Sequence, residues 1–247
     1  MRRRFFVEGF RGGRATLRGA AAHHLGRVLR AEAGQMYELS DGHAVWLARV
    51  EHAAGEVVEF AVVEPVAVRE PELRATLLLA VVKFDRFEWA LEKATELGVE
   101  VVAPLAAERS ERALLAAAPK RAARWQNILL ESAQQARCLR PPALQPLMRP
   151  AEAFRAQQDS IKVMLSERAG ASPLREVLGE KAHDAPAVAG GGVTLSLVVG
   201  PEGGWTAGEF AAAAAAGFRE AAIGENILRT ETAVVAGLAA AHMYFDR

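Results

Sequence analysis

The chain has 247 residues, 51% hydrophobic and 24% charged, enough for one large domain or two modest ones with real cores. Its single cysteine, Cys138, excludes an internal disulfide, and six scattered histidines form no metal-ligand spacing, so no metal is expected. Net charge is zero, yet residues 1–30 hold eight arginines against one glutamate and residues 109–149 hold eight Lys/Arg against two glutamates, and basic zones of that kind attract phosphate.

Residues 1 to about 70 read as mostly β. Short runs rich in β-branched and aromatic residues stand at 4–7, 36–39, 44–50 and 57–63. Asp41-Gly42 lies between two of them and predicts a two-residue type I′ hairpin loop, which needs positive φ. A short helix, 20–29, carries His23 and His24, and the whole resembles a compact barrel. Glu64 to Pro71, with two prolines, reads as a linker. The apolar runs 76–82 and 193–199 are strand-sized, and no signal-length apolar segment follows Met-Arg-Arg-Arg. Neither secretion nor membrane insertion is expected, and the cytoplasm is the expected compartment.

From about 72 the pattern alternates between strand and helix. Strand 75–82 is followed by helix 87–97, closed by Gly98, and by strand 99–104. A long helix is expected over 119–137. Strands follow at 161–165, 194–199 and 220–223, with helices at 206–216, closed by Gly217, and 231–245. Near-continuous apolar strands imply a parallel sheet covered on both faces. Residues 182–192 read as a mobile surface loop.

Two segments stand out. In Leu197-Val-Val-Gly-Pro-Glu-Gly-Gly-Trp-Thr206 a buried strand enters a loop with three glycines, then a helix with Thr206 and Glu209 spaced as a capping box. Glycines at a strand's carboxyl end let a ligand approach the backbone, where open α/β sheets bind ligands. In Ile223-Gly-Glu-Asn-Ile-Leu-Arg-Thr-Glu-Thr-Ala233 the order recurs. Capping by Thr230 and a dipole-favoured Glu231 explain two residues but not Gly224, Arg229 or the Ile227-Leu228 pair. No dinucleotide, P-loop, nucleophile-elbow or zincin motif is present.

Gly200-Pro-Glu-Gly-Gly204 followed by Gly224-x-x-Ile-Leu-Arg-Thr-Glu-Thr-Ala233 resembles the SPOUT class of methyltransferases, and within it the RsmE family of 16S ribosomal RNA uracil-N3 methyltransferases. Supporting segments run in order along the chain: Arg3-Arg-Phe-Phe-Val7, His23-His-Leu-x-x-Val-Leu-Arg30, Lys93-x-x-Glu-Leu-Gly-Val99, Arg109-Ser110, Lys120-Arg-x-x-Arg-Trp125 and residues 131–137. Departures are Ser132, Ala136, Trp205 and Asn226, of which Ala136 removes any hydroxyl role at its position.

The resemblance implies an α/β fold with a PUA-like β-barrel RNA-binding domain over 1–70 and a knotted SPOUT methyltransferase domain over 71–247. It implies S-adenosylmethionine as cofactor, a homodimer, and 16S rRNA or the small ribosomal subunit as partner. The cofactor-binding residues are then expected to be Leu165, Gly200, Pro201, Glu202, Gly203, Gly204, Ile223, Gly224, Asn226, Ile227 and Leu228. Uracil N3 must lose a proton before it is a nucleophile, and a neighbouring arginine stabilises the resulting anion. Arg109, Arg137 and Arg229 are the candidates, with Glu131 or Glu231 as orienting group or base. RNA contacts are expected from Arg2, Arg3, Arg4, His23, His24, Arg27, Arg30, Lys120, Arg121 and Arg124. Phosphate contact without chemistry is the competing role for Arg109 and Arg137, and a structural salt bridge for Arg229. A non-catalytic ribosome-assembly protein and a knotted methyltransferase acting on tRNA or a ribose 2′-OH are the alternative readings.

Overall fold

The computed structural model describes residues 3–69, 71–184 and 192–245. They form two compact units: Met1–Glu70 with Glu131–Pro141, and Pro71–Leu130 with Pro142–Arg247.

The first unit is built on a curled five-stranded sheet. Its strands are β1 (Arg4–Phe6), β2 (Arg14–Arg18), β3 (Met36–Ser40), β4 (Val45–Ala54) and β5 (Val57–Val66), in the order β1-β3-β4-β5-β2. β1 pairs parallel to β3 and the other pairs are antiparallel, so the sheet is mixed, with β1 and β2 as its edges. Alternate residues turn inward, among them Ala15 and Leu17, Ala48 and Val50, and Val58 and Phe60. β2 escaped the sequence reading because Arg-Ala-Thr-Leu-Arg has little β-branched character.

Three expectations are corrected in this unit. The helix expected over 20–29 is a short α-helix, α1 (Gly19–His23), running into a π-helical turn, His24–Val28. Gly26 weakens regular helix there, and Arg18 at the N-cap makes no side-chain bond. The loop between β3 and β4 has four residues, not two. The Asp41 carboxylate accepts the backbone N–H groups of His43 (2.9 Å) and Ala44 (2.8 Å), an Asx turn that holds the wider loop, and Gly42 sits at φ +86°. The expected linker begins inside β5, which continues through Pro65 to Val66. β2 pairs with β5 only as far as Ala61, so β5 is an edge beyond that point, where proline is tolerated.

Residues 131–141 join this unit through a buried ion pair. Arg4, only 8% exposed, donates to Glu38 at 2.9 and 3.1 Å and to the Arg137 carbonyl at 2.6 Å. Arg137 adopts the left-handed conformation (φ 57°), and its guanidinium lies 3.6 Å from the other Glu38 oxygen.

The second unit is a three-layer α/β/α structure. Its sheet contains β6 (Leu73–Ala80), β7 (Val99–Leu105), β8 (Ala143–Leu144), β9 (Ile161–Leu165), β10 (Ser172–Pro173), β11 (Val193–Val199) and β12 (Arg219–Ala222). The order is β10-β12-β9-β11-β6-β7-β8, and every pairing is parallel. Leu77, Leu79, Val163, Leu195 and Leu197 face a core shared with α2 (Phe84–Glu96), α3 (Arg112–Ala136), α5 (Leu174–Asp184) and α7 (Thr230–Phe245). Leu78, Met164 and Val198 face a second core with α4 (Pro150–Ala156) and α6 (Ala207–Ala215). Burial on both faces explains the unbroken apolar strands.

α3 begins seven residues before the expected start. Pro119 lies inside the helix rather than opening it, although an interior proline forfeits a backbone bond. The Ala-Leu-Leu-Ala-Ala-Ala run before it is a strong helix former. Residues 182–184 close α5 rather than opening a loop, Gly192 is described, and the rest of that segment lies outside the described residues. α4, α5, β8 and β10 were not anticipated. No helix among the described residues is long and apolar enough to cross a membrane.

Candidate active site

All strands of a parallel sheet deliver their carboxyl ends to one edge, and ligands bind there where loops diverge. The turns after β9, β11 and β12 meet at that edge around a cleft of about 700 Å³. Every residue expected to hold a cofactor lines it: Leu165, Gly200, Pro201, Glu202, Gly203, Gly204, Ile223, Gly224, Asn226, Ile227 and Leu228. Three segments well separated in sequence thus line one cleft.

Side chains tie the turns together. Thr230 donates its hydroxyl to the Gly200 carbonyl (2.9 Å) rather than capping α7, which corrects the capping role expected of it. Arg109 donates to the Gly203 carbonyl at 2.8 Å. Glu209, only 5% exposed, completes the expected capping box with Thr206 and also accepts the backbone N–H of Glu108 (2.9 Å), joining the β7 loop to the start of α6. Arg86, at the start of α2, pairs with Glu202 at 3.0 Å and lies 3.9 Å from Glu231. The second Glu231 oxygen is buried without a hydrogen-bond partner.

The glycines divide by cause. A Cβ on Gly200 would stand 2.8 Å from Trp205 Nε1, and one on Gly203 3.2 Å from Arg109 Cβ. Gly204 has φ +68°, and its Cβ would stand 2.8 Å from Glu167 Oε1. Packing of the turn against itself explains Gly200, the approach of the Arg109 loop explains Gly203, and the left-handed backbone explains Gly204. A Cβ on Gly224 meets nothing within 4 Å, although the residue lines the cleft. The fold does not demand that glycine, so open space for a ligand is the better account of it.

A family model described as an RNA methyltransferase domain matches residues 69–242. A ribosomal RNA small subunit methyltransferase E from Synechocystis is 33% identical over 91% of this chain and 71% of its own length. The chain belongs to the ribosomal RNA small subunit methyltransferase E family. The relative from Mycobacterium tuberculosis is 31% identical over 94% of this chain and 87% of its own. The crystal structure of the Neisseria gonorrhoeae family member, bound to S-adenosyl methionine, superposes with a TM-score of 0.84 at 28% identity, covering 99% of this chain and 98% of that one.

Within this family member the catalytic candidates separate. Arg229 lines the cleft, is exposed and has no partner among the described residues, which removes the structural salt bridge considered for it. Glu231 lies in the first turn of α7. Arg109 lies across the Gly203 turn, lining a second cavity of about 360 Å³. Arg137 and Glu131 line neither cavity. Arg137 is held by Arg4 and Glu38 as described, and Glu131 is exposed.

The RNA-contact candidates separate as well. Arg3, His23, Arg27, Arg30 and Lys120 are exposed and His24 is half-buried, while Arg2 lies outside the described residues. Arg4 is corrected to a buried ion-pair partner of Glu38. Arg121 and Arg124 bracket Glu88 at 3.4 and 2.8 Å, and Arg121 stacks over Phe84, so both are partly neutralised. Sequence reasoning missed Glu167 and Arg168 in the cleft, and Lys83 and Arg86 in the smaller cavity. Their signal was position, each lying a few residues beyond a strand's carboxyl end. Among the described residues no group of three or more His, Cys, Asp or Glu is placed to hold a metal ion.

Proposed function

We propose that this protein transfers a methyl group from S-adenosylmethionine to N3 of a uridine in 16S ribosomal RNA, acting in the cytoplasm. The observation that carries the reading is the meeting of the two glycine turns in one cleft. A volume of about 700 Å³ lies within the range of small-molecule sites, roughly 300–1,000 Å³. Its lining joins apolar surfaces, Leu165, Ile223, Ile227 and Leu228, to the polar Glu202 and Asn226, a set that fits an adenosyl group with a charged tail. Bound there, the cofactor supplies an electrophilic methyl group. Since the Gly200 and Gly203 carbonyls already accept bonds from Thr230 and Arg109, the polar contacts fall to the remaining groups of the turns.

The protein's own work is orientation and charge. Uracil becomes nucleophilic at N3 only on losing its proton, and the negative charge spreads onto O2 and O4. Arg229, exposed at the cleft and unpaired, is positioned to stabilise that anion, and Arg109 to do so from across the turn. Glu231, with one buried oxygen lacking a partner, is the candidate to receive the proton or to hold an arginine in place.

The residues 1–70 form, in this reading, a PUA-like RNA-binding domain, and 71–247 a SPOUT domain whose last turns are knotted. The parallel order β12-β9-β11 and the clasp of Thr230 on Gly200 support the knot. Ile227, 81% exposed, and Met243, 87% exposed, are apolar surface that a second copy in a homodimer would cover.

Mass spectrometry of ribosomal RNA from cells with and without the gene tests the reaction. One uridine methylation is expected to vanish from 16S RNA, and identical methylation in both strains would refute the assignment. Gly224→Val tests the cleft. Its stability is expected to stay within about 0.5 kcal/mol of wild type, since a Cβ there meets nothing within 4 Å. Cofactor affinity by titration calorimetry should fall more than about tenfold, because the added methyls occupy the ligand's space. Unchanged affinity would remove Gly224 from the site.

A further inference from the structure

The carboxyl edge of the sheet carries a second cavity that the cofactor reading does not use. It lies over β11, β6 and β7, whereas the large cleft lies over β12, β9 and β11. Glu202 and Gly203 line both, so the β11 turn is a shared wall. A methyl acceptor must come within bonding reach of the donor, and the two cavities meet at the Glu202-Gly203 turn, where a base in one can approach a ligand in the other around its edge.

The lining has the chemistry of a nucleotide site. Half-buried Leu114 offers apolar surface to a base, while Val81 and Val82 are buried at the cavity and the Ser110 hydroxyl is bonded to the Val81 carbonyl at 2.7 Å. Three cations, Lys83, Arg86 and Arg109, face Glu111 and Glu202. Arg86 is neutralised by Glu202 and Glu231, and Arg109 is bonded to the Gly203 carbonyl. Lys83 is exposed, and its ammonium makes no ion pair or hydrogen bond among the described residues. A compact, uncommitted ammonium at the mouth of a partly apolar pocket suits a phosphodiester.

We infer that the smaller cavity is the acceptor pocket: it receives the RNA nucleotide to be methylated, with Lys83 holding the phosphodiester beside the target base. The inference rests on the methyltransferase reading above.

Methyl transfer to unmodified small ribosomal subunits, followed with labelled S-adenosylmethionine, tests it. Lys83→Ala is expected to raise KM for subunits about five- to tenfold while leaving KM for the cofactor unchanged. The slope of log(kcat/KM) against log salt should flatten by about 0.7, the value for one lost single-strand phosphate contact. Lys83→Arg should restore most of the loss. Leu114→Trp, which fills the cavity, should reduce transfer at least a hundredfold while S-adenosylhomocysteine still raises the melting temperature. A Lys83→Ala enzyme with wild-type subunit KM and salt slope, or a Leu114→Trp enzyme with wild-type turnover, overturns the assignment of the pocket. Wild-type protein that transfers no methyl group and is not stabilised by S-adenosylhomocysteine defeats the enzymatic reading itself, a separate result.

Discussion

Gly200→Ala is expected to destabilise the second unit by roughly 2–3 kcal/mol, the cost of overpacking a site that cannot yield. The new methyl would sit 2.8 Å from Trp205 Nε1 and 2.9 Å from Cε2. Trp205 is 4% exposed and wedged edge-on against Phe154, so the indole has nowhere to go. The clash predicts its own remedy. Trp205→Leu removes the offending ring, and because the indole N–H has no hydrogen-bond partner, no bond is lost with it. In a double-mutant cycle by denaturant unfolding, the pair should be coupled by at least about 1 kcal/mol, with Trp205→Leu less harmful in the alanine background than in wild type. Additive effects would show that the turn relaxes by another route.

Glu209→Ala should cost about 3 kcal/mol. The carboxylate accepts the backbone N–H groups of Thr206 and Glu108, both at 2.9 Å, and a methyl group satisfies neither. Each orphaned donor costs about 1–3 kcal/mol. For a structure of this size that corresponds to a fall in Tm of about 6–12 °C, measurable by scanning calorimetry. Glu209→Gln keeps an acceptor oxygen and should lose about half as much. A Glu209→Ala protein melting within about 2 °C of wild type would mean that water satisfies the donors.

Legibility in the sequence followed the physics of each segment. Strand Ile161–Leu165 was read to the residue, and β11 to within one, because both are buried on two faces and their apolar runs end at turn residues. Gly98 and Gly217 marked helix ends through positive φ, a requirement local to one residue. The β3–β4 loop was misjudged because its length depends on where the Asp41 side chain bonds, which a dipeptide does not disclose. Pro119 concealed the first turns of α3, since a local breaker was outweighed by the helix on either side. In the cleft, the glycine turns were legible as segments, but the reason for each glycine was not. The contact of Gly204 with Glu167 joins separate turns, and that of Gly200 with Trp205, five residues on, depends on how the turn folds back on itself. Arg4, read as an RNA contact from its neighbours Arg2 and Arg3, lies on the face opposite the core-facing Phe5, where it meets Glu38 and the Arg137 carbonyl. Lys83 and Arg86 carry no motif and became visible only when the sheet order put the loops of β6 and β11 side by side.

The clasp of Thr230 on Gly200 has a consequence for biosynthesis. The cleft needs the turn after β12 and the start of α7, which leave the ribosome after every other segment that lines it. A nascent chain with the first unit and β6 to β11 already in place still lacks one wall of that cleft. The cleft is therefore complete only once β12 and the start of α7 have been made, and a frameshift between β11 and α7 yields a protein whose cleft lacks that wall.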